Sequence, residues 1–68
     1  MSRKLVGKLV YTINAKNNMV DSWRCTDVFK GLNNETMYEL RDGSKLAILP
    51  RRCVYVTFEK ALEVAKRK

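Results

Sequence analysis

A small, strongly bent antiparallel β unit of about five strands, finished by a C-terminal α-helix, is the fold class that the sequence predicts. Three observations predict it. Turn-forming residues at Asn17-Asn18, Gly31-Leu32-Asn33-Asn34, Asp42-Gly43-Ser44 and Pro50 cut the chain into short pieces. The pieces between them have the length of strands, and only the last has helical spacing. The whole is 68 residues, one domain, because a second core would not fit.

The first strand is expected over 4–14. Leu5, Leu9, Tyr11 and Ile13 share one parity with Gly7, and Val6, Lys8, Val10 and Thr12 share the other. Gly7 inside the run marks a bulge or a close approach of backbone. A second strand is expected over 19–29. Met19, Asp21, Trp23, Cys25, Asp27 and Phe29 share one parity there, and the two aspartates point to a bulge or an early end. A hairpin follows, with strands over 36–41 and 44–49. A three-residue loop, Arg41-Asp42-Gly43, gathers Tyr38, Leu40, Leu46 and Ile48 on one face and sends Glu39, Lys45 and Ala47 to the other. A one-residue slip reverses the face, so the apolar pattern selects that loop, a type I turn with Gly43 in a G1 bulge.

Pro50 lacks an amide proton, which suits a turn or a single 3₁₀ turn. A last strand is expected over 53–57. Thr57 caps a helix over 58–67, in which Phe58, Ala61, Leu62 and Ala65 follow the i, i+3, i+4, i+7 rule. Lys66, Arg67 and Lys68 complement the negative end of the helix dipole. Hairpin, Leu49-Pro50-Arg51-Arg52, then strand: this order resembles the end of an SH3-like barrel over residues 37–56. In that fold a short 3₁₀ turn separates the last two strands. The resemblance implies an SH3-like barrel and carries no function, because such barrels serve many kinds of partner.

Composition narrows the chemistry. Hydrophobic residues are 46% and charged residues 31%, a globular balance. No stretch approaches the roughly 20 apolar residues of a membrane span. Lys8 interrupts the start after Arg3-Lys4, so a signal peptide is not expected and a cytoplasmic location is. Cys25 and Cys53 are too few for a disulfide framework and lack metal spacing, so they read as two reduced thiols. With no His, the commonest general base and metal ligand is missing, and neither cysteine nor any hydroxyl has an imidazole partner. Glu59 and Glu63 share a helix face, where carboxylates ordinarily just meet solvent. No glycine-rich phosphate loop is present. The chain is therefore expected to be no enzyme and to need no cofactor or metal.

Binding remains. Lys and Arg number 14 against 7 Asp and Glu, a formal net charge of +7. Arg3, Lys4 and Lys8 cluster at the start, Arg51 and Arg52 at the Pro50 turn, and Lys66, Arg67 and Lys68 at the end; the other cations are dispersed. The leading expectation is a nucleic-acid-binding module, for DNA or RNA, that contacts phosphate through Arg3, Lys4, Lys8, Arg51 and Arg52. Trp23, with its polar flanks, is the stacking candidate. The alternative is a small adaptor or inhibitor, of the virus-encoded kind found among phage proteins, acting on a larger, acidic-surfaced host protein. There Trp23 and Val64 would meet the partner. The sequence also leaves open self-association through strand edges or the helix, as a homodimer.

Overall fold

The computed structural model describes residues 5–67. Four antiparallel strands form one open sheet in the order β1-β2-β3-β4: β1 Leu9–Ile13, β2 Val20–Lys30, β3 Thr36–Asp42 and β4 Lys45–Pro50. A single helix, α1 Phe58–Lys66, follows.

Two bulges bend the sheet. The Gly7 amide donates to the Cys25 carbonyl (2.7 Å), and the Cys25 amide donates to the Lys8 carbonyl (3.0 Å). Two residues thus face one. Gly7 has φ +88°, the left-handed conformation that a G1 bulge needs at its first position. A Lys8 amide bond to the Leu5 carbonyl closes the turn just before it. The expected strand over 4–14 is therefore shorter and begins at Leu9, and Gly7 serves a bulge as its position suggested. The second bulge lies in β2, where pairing with β3 shifts register between Cys25 and Asp27. The additional residue, Thr26, turns its hydroxyl onto Glu39, donating to the side-chain Oε1 at 2.7 Å. Beyond it the inward parity switches: Trp23 and Cys25 face the core before the bulge, and Val28 after it. That switch keeps Asp27 off the apolar side.

The core is the concave face of this bent sheet. Val10, Cys25, Val28, Tyr38 and Leu40 are buried, and Leu5, Val6, Trp23, Leu49 and Val54 pack against them. Burial of one such side chain as large as Leu40 stabilises by about 1.5–3 kcal/mol. Cys25 lies inside this cluster, Cys53 is exposed, and no disulfide joins them.

The hairpin register differs from the expectation. Asp42 pairs with Lys45, Leu40 with Ala47 and Tyr38 with Leu49, around a two-residue turn, Gly43-Ser44. Gly43 has φ +62° at the first central position, as a type II′ turn requires, and II′ twist matches that of the flanking strands. Turn chemistry overrode the apolar count. Ala47 and Leu49 take the inner face, while Leu46 and Ile48 are turned outward, 52% and 48% exposed.

Pro50 ends β4 and a 3₁₀ turn, Arg51–Cys53, follows. The expected strand over 53–57 is a single bridge residue: Tyr55 exchanges both backbone bonds with Tyr11 at 2.8 Å. Cys53 is spent in the turn, and Thr57 already caps α1, its hydroxyl accepting from the Lys60 amide. Too few residues remain between them for a ladder. The helix lies against β1 and β2 with Ala61 and Ala65 buried. Phe58 meets Tyr11 edge to face at 5.9 Å. Tyr11 has the parity opposite to Val10 and Thr12, so α1 covers the outer side of β1. Asn18, in the left-handed conformation, reaches from the β1–β2 loop to donate to the Ala65 carbonyl (2.7 Å), satisfying one open end of the helix.

Candidate functional site

Strand register places Arg24 and Arg41 at one concavity, and the 3₁₀ turn with the start of α1 places Arg51 and Lys60 at another. The first follows from the β2–β3 pairing. Arg24 stands directly opposite Arg41, with Leu9 beside Arg24 on β1 and Leu46 beside Arg41 on β4. One row across the exposed sheet face thus reads Leu9, Arg24, Arg41, Leu46. Two guanidiniums opposite each other repel, at a cost of a few tenths to about 1 kcal/mol. Each finds partial relief: Arg24 donates to the Gly7 carbonyl at 3.0 Å, and Arg41 lies 3.5 Å from Glu39. A hollow of about 350 Å³ opens beside the pair, and Trp23, Ser22, Thr26 and Asp42 also line it.

The second concavity is a groove of about 440 Å³ between the 3₁₀ turn and the start of α1. Leu5, Tyr38, Val54, Tyr55 and Val56 make its apolar surface, Thr36 adds a hydroxyl, and Arg51 and Lys60 are its cations. Among the described residues no carboxylate lines it. The two adjacent arginines of the turn have different duties. Arg52 is ion-paired with Glu35, whereas Arg51 faces the groove and has no ion pair with a described carboxylate.

Of the residues singled out in the sequence, Arg3 and Lys4 lie outside the described residues. Lys8 sits exposed at the G1 bulge and lines neither concavity. Trp23 is half-buried, its indole N–H donating to the Thr12 hydroxyl at 2.9 Å, and it faces the Arg24–Arg41 hollow with part of its surface. Its ring packs against the core. Val64 is half-buried on α1 beside the buried Ala65. Arg51 and Arg52 are exposed, as a turn position implies.

Arg24, Arg41 and Lys60 are the residues that sequence reasoning missed. Arg24 and Arg41 look dispersed along the chain, and only the bulged register makes them neighbours. Lys60 carries a signal in hindsight: it lies on the first turn of α1, three residues after the cap, close to the 3₁₀ turn that precedes it. Among the described residues no three His, Cys, Asp or Glu side chains come together as a metal site would require. None of their helices is long and apolar enough to cross a membrane.

Fold and concavities define a small bent antiparallel sheet with Arg24 paired to Arg41 on its outer face and a capped C-terminal helix. The chain matches no protein-family model, no curated protein and no solved structure.

Proposed function

We propose that the chain is a non-catalytic nucleic-acid-binding module that grips the phosphate backbone with little base readout. One observation carries the reading: strand register sets Arg24 directly opposite Arg41 on the exposed sheet face, in a chain of net charge +7. The isolated protein bears the repulsion of that pair, and a phosphate bridging the two guanidiniums would relieve it. The contact set is thereby moved from Lys8 toward Arg24, Arg41 and Arg51. Titration of labelled duplex DNA and RNA at low and moderate salt tests it. Binding that weakens with salt is expected; no binding even at low salt would contradict it.

The finer architecture belongs to the same proposal. The Tyr11–Tyr55 bridge brings the chain after β4 back to β1. We read this as the closure of an SH3-like barrel reduced to one residue pair.

A second reading, the adaptor or inhibitor, has its own support at β4. In the antiparallel ladder, Leu46 and Ile48 turn their N–H and C=O groups away from β3. Among the described residues no strand pairs with that edge, which carries two half-exposed apolar side chains. It suits an added strand from another protein. A protein partner captured from host lysate that survives nuclease treatment favours this reading, and one lost with the nucleic acid favours the first.

A further inference from the structure

The groove beside the 3₁₀ turn differs from the sheet face in chemistry. Its surface is mostly apolar and includes Tyr55; among the described residues its cations are Arg51 and Lys60, and no described carboxylate lines it. Its volume of about 440 Å³ falls in the range of sites that hold a small organic ligand, roughly 300–1,000 Å³. Glu35, the carboxylate nearest in sequence to the groove residue Thr36, is held by Arg52. Arg51 is thereby left to the groove, together with Lys60 from the first turn of α1. An occupant must therefore be anionic and also present a flat or apolar body.

We propose that this groove seats one nucleotide unit of a single strand. Its base packs among Leu5, Val54, Tyr55 and Val56, and its phosphate lies between Arg51 and Lys60. The inference rests on the nucleic-acid reading and deepens it. A duplex keeps its base faces stacked inside, so it can offer phosphates to Arg24 and Arg41 but cannot place a base in a concave apolar groove. An unpaired nucleotide offers both parts, the combination used where cationic channels and aromatic platforms hold single strands. The two concavities then divide the work: the sheet face reads any backbone, and the groove selects for unpaired bases. An acidic peptide with an apolar side chain would satisfy the same charges, and the measurement below separates it from a nucleotide.

The test is fluorescence anisotropy with the full chain, using a labelled mixed-sequence single strand, a duplex of the same sequence and a glutamate-rich peptide. The variants are the double substitution Arg51→Ala with Lys60→Ala, and Arg24→Ala with Arg41→Ala. Both pairs are exposed, so circular dichroism should report an unchanged fold. The single strand should bind about tenfold tighter than the duplex, from one stacked base. The Arg51/Lys60 double variant should lose that preference, its affinity for the single strand falling more than its affinity for the duplex. Its salt slope on single strands should fall by about 0.7 for each cation removed. Equal affinity for both nucleic acids, unchanged in the Arg51/Lys60 variant, would overturn the groove assignment and leave the general reading standing. Peptide binding that alone depends on Arg51 and Lys60 would also overturn it, in favour of a protein ligand. No binding to either nucleic acid would remove both.

Discussion

At the scale of single residues, Arg24 and Arg41 separate the demands of folding from those of binding. Their charges oppose each other across β2 and β3, so removing one should not weaken the fold. Arg24→Gln is expected to leave stability unchanged or raise it by up to about 1 kcal/mol in urea denaturation, while nucleic-acid affinity falls. A clear loss of stability would mean that the bond from Arg24 to the Gly7 carbonyl outweighs the repulsion. Leu40 behaves in the opposite way. It is fully buried and packs in the centre of the core, so Leu40→Ala should cost about 2–5 kcal/mol. In so small a chain that loss should be enough to leave much of the population unfolded. Neither arginine announced itself in the sequence. They are 17 positions apart, and the residue that aligns them is the bulged Thr26, whose place depends on the Cys25–Asp27 shift. Periodicity read along one strand contains no information about which residue of the next strand lies opposite.

Elements were legible in proportion to how locally their causes act. The helix could be read from Thr57 and the spacing of Ala61 and Ala65, because cap and stripe lie within ten residues. The bulges near Gly7 and after Cys25 were foreshadowed by a glycine and by aspartates on an apolar parity. The hairpin was not. Counting apolar residues favoured Leu46 and Ile48 as the inner pair, yet the Gly43-Ser44 turn took the register that its twist prefers and left both outside. A sheet this small has one thin core, and Ala47 with Leu49 suffices to fill its edge. The last strand was overestimated for a related reason: Cys53, Val54 and Val56 have strand-like character, but the 3₁₀ turn and the helix cap leave only Tyr55 to pair. The turn account has a direct check. Gly43→Ala forces an L side chain to φ +62° and should lower stability by about 1–2 kcal/mol in a urea titration. An unchanged midpoint would mean that the turn relaxes freely. Asn18→Ala should likewise lower it, by about 1 kcal/mol, through loss of the bond to the Ala65 carbonyl.

For the whole molecule, the net charge of +7 acts against self-association even though no described strand covers the outer edge of β4. Static light scattering at low ionic strength should return the monomer mass, and a dimer there would mean that edge pairing overcomes the repulsion. The same charge gives the binding proposal its sharpest signature. For a protein that displaces counterions from duplex DNA, log Kobs falls linearly with log salt concentration, by about 0.9 for each phosphate contact. The decisive measurement is that slope on duplex DNA, taken for the unaltered chain and for the Arg24→Ala, Arg41→Ala double variant. The account predicts measurable binding at low salt, and a slope shallower by about 1.8 in the double variant. Absence of binding, or a slope that the two substitutions leave untouched, would contradict it.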